Sequence, residues 1–271
     1  MINAALVGFG RIGKLHYHNL KNSKIFDIKF IIDIVQPNVN DIDVEIDIPF
    51  YHPMELELKV KEFEIKSIFV CSSTKFHYSI IKTSLENNLD VFVEKPVCLK
   101  IEEMKELYEL ADNKNKILFA AFNRRYDPKI IKLYQEYRSG KLGQVNNILV
   151  ISRDYPYPES KFIKTSGGLY QDCLIHDLDS ICWILGEKPI SVNTTGSMGK
   201  DNENLDSATT ILKFASGTLA TFISSRISNS YDQRIEFMGS KKSLIVSNSD
   251  QEKISFPERY AESYKNEIIS F

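Results

Sequence analysis

The stretch Gly8-Phe9-Gly10-Arg11-Ile12-Gly13 decides how the first half of this 271-residue chain folds. It joins the apolar run Ala4–Gly8, which predicts a buried parallel strand, to a helical pattern that extends to Leu20. Gly8 permits a tight turn, Gly10 lets the backbone approach a pyrophosphate, and Gly13 lets helix and strand pack closely. The N–H groups of this turn and of the helix N-terminus are free to bind phosphate, and the positive end of the helix dipole attracts its negative charge. The stretch predicts a dinucleotide site; the alternative is a turn with a structural role alone.

An acidic residue follows at the distance that this kind of site requires. Lys29–Asp33 predicts a second strand, so Asp33 ends it about 20 residues after the glycine-rich turn. Its carboxylate would accept hydrogen bonds from the ribose hydroxyls of adenosine. A 2′-phosphate would meet like charge there, and Ile34 is not an arginine that could pair with it. The sequence therefore predicts NAD rather than NADP, unless Asp33 is only a solvated turn residue.

Strand and helix patterns continue to alternate through the first half. Further strands are predicted at Ser67–Cys71, Val91–Val93 and Ile117–Ala121, with helices at Thr74–Glu86, Ile101–Ala111 and Pro128–Tyr137. Such alternation predicts an α/β Rossmann domain with a doubly wound parallel sheet, over residues 1–121. The acidic segment Asp41–Asp47 interrupts the pattern, and Glu55–Phe63 is only a weak helix candidate.

The pattern changes over residues 122–271, which predict a second, α+β domain. Val145–Arg153 is a predicted strand and Leu169–Leu185 a predicted helix. They are followed by predicted antiparallel strands at Thr209–Phe214, Leu219–Ser224, Arg234–Met238 and Ser243–Val246. These elements imply an open, mostly antiparallel sheet for substrate binding and oligomerisation. An uncovered apolar sheet face must be buried, so we expect a homo-oligomer, a dimer or tetramer, through this sheet.

Composition excludes several classes of partner. Lys and Arg total 34 against 36 for Asp and Glu, a net charge of -2, which argues against nucleic acid or an anionic membrane as partner. No run of about 18 apolar residues predicts a transmembrane helix, and the N-terminus has no signal-peptide pattern. The four cysteines form no CxxC pair, which is typical of reduced thiols in a cytoplasmic protein.

Glu94-Lys95-Pro96 directly follows the predicted strand Val91–Val93. Ligands of open α/β sheets bind at the carboxyl ends of the strands, which is where Lys95 would lie. Pro96 fixes φ and ends the strand, so it would direct Lys95 into the cleft. A lysine here, with an Asp/His pair, would suit proton transfer at an alcohol, although most lysines are only solvated surface residues.

Asp172 and His176 form an i, i+4 pair and would share one helix face after the flexible entry Gly167-Gly168. Imidazole titrates near neutral pH, which suits a general base. The pair could instead be structural, or could ligate a metal. No further ligands stand at a recognisable spacing, so no metal is predicted. Asp177 and Asp179 are expected to be surface or capping acids.

These motifs, together with Asn123-Arg124-Arg125-Tyr126-Asp127-Pro128, resemble the glucose-fructose oxidoreductase/inositol dehydrogenase (Gfo/Idh/MocA) family over nearly the whole chain. Arg153-Asp154-Tyr155-Pro156 and the spacing of Ser166-Gly167-Gly168 look most like inositol 2-dehydrogenases. Two segments depart from the family pattern. The loop Val35–Pro49 is unlike the usual second crossover, and relatives continue for several tens of residues beyond the segment Phe256–Phe271, so the chain is expected to be a C-terminally shortened member.

The resemblance implies an NAD-dependent dehydrogenase of a cyclic polyol, most like myo-inositol 2-dehydrogenase. Other members act on scyllo-inositol, aldoses or dihydrodiols, and a non-catalytic dinucleotide-binding regulator is the rival class. The resemblance implies Lys95, Asp172 and His176 as catalytic residues. It adds Ser72, Ser73, His77, Glu94, Lys95 and Asn123 to the cofactor site. It implies a substrate site of Lys95, Arg125, Asp154, Asp172, His176 and Tyr231.

Overall fold

The computed structural model describes residues 1–35, 46–159, 163, 166–199, 204–248 and 256–271, with side chains of the last segment described from Arg259 onward. The chain divides into two compact units. The first comprises Met1–Phe122 and Tyr264–Phe271, and the second comprises Asn123–Ser263. The sequence placed the boundary between its two domains at residue 121, and this division lies between Phe122 and Asn123. The last eight residues differ from the prediction, because they group with the first unit.

The first unit is built on a six-stranded sheet whose described pairings are all parallel. The strand order is β3-β2-β1-β4-β5-β6. The strands are β1 (Ile2–Val7), β2 (Phe26–Ile32), β3 (Phe50–Tyr51), β4 (Ser67–Val70), β5 (Asp90–Glu94) and β6 (Leu118–Ala121). The helices are α1 (Arg11–Ser23), α2 (Leu56–Glu62), α3 (His77–Glu86) and α4 (Ile101–Lys114). The predicted Rossmann sheet is confirmed. The weak helix candidate Glu55–Phe63 contains α2. Residues 36–45, which include most of the unusual acidic loop, lie outside the described residues.

Helices cover both faces of this sheet, as apolar β-strands buried on both sides require. On one face, Leu56, Ile81 and Leu107 from α2, α3 and α4 pack against strand residues. On the other face, Tyr17 and Leu20 of α1 pack in a second cluster. This second cluster also contains the C-terminal end of the chain.

The C-terminal helix α7 (Phe256–Ser270) was not predicted as a helix, and its last turns pack in the first unit. Ile268 is fully buried there. The Phe271 ring stacks on Phe26 with ring centroids 5.9 Å apart, and it meets Phe69 edge to face at 5.3 Å. Burial of these apolar side chains explains why the segment groups with the first unit.

The second unit has a six-stranded sheet in the order β12-β11-β7-β10-β9-β8. Its strands are β7 (Val145–Arg153), β8 (Pro189–Met198), β9 (Leu205–Phe214), β10 (Leu219–Ser225), β11 (Asp232–Gly239) and β12 (Ser243–Ser247). The sheet is mostly antiparallel, as predicted, but β7 and β10 pair in parallel. The sequence did not predict β8. The helices α5 (Pro128–Arg138) and α6 (Ile175–Leu185) pack on one face of this sheet.

The predicted helix Leu169–Leu185 is not α-helical throughout. A π-helical turn, Tyr170–Leu174, precedes α6. Gly167 and Gly168 lead into it with φ of 81° and 82°, a left-handed conformation that glycine adopts at low cost. A π-helical turn of this kind is rare and frequently marks a functional site. Asp172 lies in this wider turn, and His176 lies in the first turn of α6.

Candidate functional site

A cavity of about 580 Å³ lies in the first unit, at the carboxyl ends of its strands. The glycine-rich turn forms one side of it, and a Cβ added at Gly13 would lie only 2.0 Å from the Gly8 carbonyl oxygen. Helix and strand therefore meet as closely as the motif predicts. The predicted cofactor residues that line the cavity are Gly8, Gly10, Asp33, Ser72 and Ser73.

Asp33 holds the glycine-rich turn in place. Its Oδ2 accepts a hydrogen bond from the Phe9 N–H at 2.6 Å, and its Oδ1 accepts one from the Val35 N–H at 3.2 Å. The sequence predicted an acid facing the cofactor but did not predict these backbone contacts. Asp33 is thus a structural support of the turn as well as a lining residue of the cavity.

His52, Pro53 and Met54 line the same cavity, and no motif in the sequence indicated them. They lie in the short connection after β3, where Pro53–Glu55 forms a single 3₁₀ turn. Phe76, at the end of a second such turn, also contributes to the lining. Pro53, Met54 and Phe76 contribute, with other side chains such as Leu56 and Ile80, to the apolar lining of the cavity. An apolar lining with a few polar groups is usual for a ligand pocket.

His77 is buried behind the Ser72–Ser73 loop rather than on the cavity wall. Its two ring nitrogens lie 2.9 Å from the carbonyl oxygens of Ser72 and Pro96. A neutral imidazole donates to only one of them at a time, whereas a protonated ring donates to both. In either state His77 connects the loop after β4 to the loop after β5.

Lys95 directly follows β5 and is half-buried, and its peptide bond to Pro96 is cis. The neighbouring Glu94 is held by His16 of α1, with Nε2 and Oε1 2.6 Å apart. His16 is itself fully buried. The segment that carries Lys95 is therefore anchored to the first helix of the unit.

In the second unit, His176 is 6% exposed and Asp172 is half-buried. Asp172 Oδ2 accepts a hydrogen bond from Nη2 of Arg226 at 2.9 Å. The Cys173 thiol lies 3.0 Å from Asp154 Oδ2 and 3.8 Å from Asp172 Oδ2, so one sulfur contacts both carboxyl groups. The structure thus brings together Asp154 and Asp172, which are 18 positions apart in the chain, and it adds Arg226, which the sequence did not indicate.

Burial shifts the proton affinities of two predicted substrate residues. Desolvation raises the pKa of Asp154, and repulsion from Asp172 raises it further, while the Cys173 hydrogen bond acts in the opposite direction. Desolvation likewise raises the pKa of Tyr231 well above its ordinary value. Both groups therefore keep their protons to a higher pH than the same side chains do in water.

The remaining predicted residues are anchored by partners that the sequence did not identify. Arg125 donates from Nε and Nη2 to Asp179, at 2.8 and 2.5 Å. The amide of Asn123 lies 3.5 Å from the Ser263 hydroxyl.

The expectation that Asp177 is a surface or capping acid is wrong. Asp177 is fully buried and pairs with the buried guanidinium of Arg124, and it also accepts a hydrogen bond from Ser152 at 2.5 Å. Because both charges are removed from water, each requires the other as its partner.

Among the described residues, no group of three or more His, Cys, Asp or Glu side chains is placed to hold a metal ion. None of the helices in the described parts of the chain combines the length and the hydropathy that a membrane span requires.

Comparison with known proteins identifies the family. Residues 2–122 match the model of an oxidoreductase family with an NAD-binding Rossmann fold, Gfo/Idh/MocA, and residues 130–245 match the Gfo/Idh/MocA C-terminal domain. A myo-inositol 2-dehydrogenase from Thermotoga maritima is 30% identical, over 98% of this chain and 86% of that protein. This chain belongs to the Gfo/Idh/MocA family.

Two further family members support the assignment. An inositol 2-dehydrogenase from Rhizobium meliloti is 29% identical, over 100% of this chain and 87% of that protein. The crystal structure of a myo-inositol dehydrogenase from Corynebacterium glutamicum superposes with a TM-score of 0.87 at 26% identity, over 99% of this chain and 86% of that one. The predicted family and fold are confirmed, and the chain is an NAD-dependent oxidoreductase with the expected cofactor class.

Proposed function

We propose that this Gfo/Idh/MocA member oxidises a secondary alcohol of a cyclic polyol, with myo-inositol as the first candidate substrate. The observation that carries the proposal is that Lys95, Asp172 and His176, the set that the family resemblance implies as catalytic, are all present in a chain about 30% identical to an inositol dehydrogenase. The cavity beside Gly8, Gly10 and Asp33 has residues that fit NAD.

Each of the three residues has a distinct role in the proposed reaction. His176 takes the proton of the reacting hydroxyl as general base. Lys95 donates a hydrogen bond to the same oxygen and stabilises the alkoxide charge that develops on it. Asp172 accepts a hydrogen bond from a neighbouring hydroxyl of the substrate and orients the polyol ring. Bound NAD supplies the acceptor for the hydride that leaves the same carbon.

Substrate selection falls to the other predicted residues of the second unit. Asp154 and Tyr231 would contact substrate oxygens, and Arg125 would donate through its guanidinium. Asn123 and Glu94 would complete the nicotinamide end of the cofactor site, and His77 would support it through the Ser72 loop. A neutral, hydroxyl-rich ring suits this mixture of donors and acceptors.

The experiment is oxidation of a panel of polyols by the purified chain with NAD, followed by NADH absorbance. The panel contains myo-inositol, scyllo-inositol, an aldose and a dihydrodiol. NADH formation with myo-inositol above the others supports the proposal, and preference for another member reassigns the substrate within the same reaction. Binding of NAD without oxidation of any compound contradicts the proposal and favours the regulator alternative, in which the fold retains the cofactor but not the chemistry.

We further propose that the chain forms a homo-oligomer through the open face of the second sheet. Exposed apolar side chains on this face stand among polar ones. Ile211 pairs with Thr221 and Ile245 with Glu236, whereas Ile223 lies beside Ile151 of β7. The exposed members are Ile211, Leu219, Ile223 and Ile245. A sheet face that exposes several large apolar side chains is typical of a contact surface. A cytoplasmic location stays a prediction from the sequence.

A further inference from the structure

Arg226 is the most unusual side chain of the second unit. It directly follows β10, and its side chain is fully buried. A buried guanidinium loses its hydration, so it is retained only where its partners compensate for that loss. Two side-chain oxygens engage its Nη2 atom, namely Asp172 Oδ2 at 2.9 Å and Ser166 Oγ at 3.2 Å. Neither the proposed reaction nor the family resemblance gave this arginine a role.

The two partners of Arg226 lie on either side of the glycine pair that enters the π-helical turn. Ser166 precedes Gly167-Gly168, and Asp172 lies in the turn itself. Glycines at positive φ and a π-helical turn are conformations that the local sequence does not enforce alone. A buried, planar donor that holds both ends therefore fixes the path of the backbone between them.

Arg226 also distinguishes the two neighbouring carboxyl groups. Asp172 is ion-paired with Arg226, whereas the side chain of Asp154 contacts the Cys173 thiol. The positive charge stands directly against only one of two carboxyl groups that share the same sulfur. Carboxyl groups with different surroundings usually take different roles in catalysis. Here Asp172 has a charged partner in Arg226, and Asp154 has a thiol partner in Cys173.

We propose that Arg226 is a positioning residue for the dehydrogenase reaction, which fixes the carboxylate of Asp172 and the adjoining π-helical turn in the geometry that orients substrate. This inference rests on the proposed function. Arg226 is buried, so it acts through Asp172 and does not itself contact the polyol. Lysine replaces it only in part, because its ammonium keeps the charge but is a compact, strongly hydrated group on a flexible stem, without the planar guanidinium that fixes the direction of Nη2.

The test is a double-mutant cycle between Arg226 and Asp172, with Arg226→Gln, Asp172→Asn and the double variant. We expect Arg226→Gln to lower kcat/KM for the polyol by about 10- to 100-fold, as misplacement of a reacting group does, with the KM for NAD unchanged. In the Asp172→Asn background, the same substitution should have almost no further effect, because the residue through which it acts is already altered. Arg226→Lys should fall between wild type and Arg226→Gln.

Arg234→Gln is the matched control, since Arg234 pairs with Asp232 at a half-exposed position of β11. It should leave kcat/KM unchanged. Thermal unfolding and NAD binding of each variant show whether it folds. If Arg226→Gln does not fold, the activity of Arg226→Lys is compared with that of wild type instead. A merely structural role predicts equal losses in the wild-type and Asp172→Asn backgrounds, and that result overturns the proposal.

The outcome for Arg226 is separable from that for the proposed function. Wild-type chain that oxidises a polyol, together with fully active Arg226 variants, overturns only the positioning role. Wild-type chain that binds NAD but neither binds nor oxidises any polyol overturns the proposed function and the positioning role with it.

Discussion

The carboxylate of Asp33 accepts a hydrogen bond from the Phe9 N–H at 2.6 Å, inside the glycine-rich turn. The acid that would select the adenosine ribose thus also holds the loop that would approach the pyrophosphate. One side chain connects the end of β2 to the turn after β1. A change at Asp33 therefore also alters the glycine-rich turn of the predicted cofactor site. A substitution of Asp33 should affect both cofactor selectivity and cofactor affinity.

Asp33→Asn separates these two effects, because its amide oxygen can still accept from Phe9 while its charge is gone. We expect the KM for NAD to rise by about 10- to 100-fold, the equivalent of one charged hydrogen bond, and the preference for NAD over NADP to decrease. Asp33→Ala should raise the KM for NAD further. Steady-state kinetics with both cofactors measure the effects; an unchanged NAD preference in Asp33→Asn would count against a ribose contact.

Lys95→Ala should reduce kcat by about 10²- to 10³-fold, the usual loss when a donor to a developing oxyanion is removed. The dissociation constant for NAD should change little. Lys100→Ala is the control, because Lys100 lies five positions further along the same segment and is exposed, with Glu103 as its partner. Turnover of Lys95→Ala at the wild-type rate would refute a catalytic role.

Asp177→Ala should destabilise the second unit by about 3–5 kcal/mol, because it leaves the buried Arg124 guanidinium without its counter-charge. Asp179→Ala should cost about 1 kcal/mol or less, since its partner Arg125 is partly exposed. Urea-induced unfolding of both variants measures the difference. Equal losses of unfolding free energy would show that burial does not increase the contribution of the Arg124–Asp177 pair to stability.

Glu267 predicts a pH dependence of stability in the first unit. It is fully buried, and neither of its carboxyl oxygens has a hydrogen-bond partner among the described residues. Desolvation raises its pKa well above the ordinary value, and repulsion from Glu94 adds to the shift; Cys71 and the His16–Glu94 pair are the other titratable groups nearby. A pKa raised on folding means that the folded chain binds more protons than the unfolded chain. The stabilisation present below the ordinary carboxyl pKa is therefore lost as pH rises toward the folded-state pKa.

Glu267→Gln should abolish this loss, because an amide carries no charge to desolvate. We expect the Tm of the variant to exceed that of wild type at pH 8 and to depend less on pH between 5 and 8, with about 2–4 °C for each kcal/mol gained. Glu262→Gln, an exposed change on the same helix, is the control. Parallel Tm–pH curves for wild type and Glu267→Gln would show that Glu267 is not the group responsible.

Ile223→Lys should dissociate the proposed oligomer, because it places a charge in the centre of the open apolar sheet face. Sedimentation velocity at micromolar concentration should show the wild-type chain as an oligomer and the variant as a monomer. Ile117→Lys, at an exposed isoleucine of the first unit, should leave the sedimentation coefficient unchanged. A wild-type monomer would remove the basis of the interface proposal.

Local patterns predicted most of the fold. Strand-turn-helix alternation identified the parallel sheet, and the predicted glycine-rich turn lines a cavity at the carboxyl ends of its strands. The errors fall where long-range contacts decide the outcome. Parallel pairing of β7 with β10 depends on which strands become neighbours in the sheet. The alternation of apolar and polar residues within one strand does not indicate its neighbour. The same holds for the last turns of α7, whose apolar residues joined the first unit.

The sequence by itself determined the fold class, the NAD-type turn and the candidate residues Lys95, Asp172 and His176, because those features depend on residues near one another in the chain. Only the tertiary structure decided the partners of the polar residues. Arg226 meets Asp172 across 54 positions, and Arg124 meets Asp177 across 53. Buried polar groups must find partners wherever the fold brings them, so these contacts are set by the packing of distant segments and leave no spacing in the sequence by which to predict them.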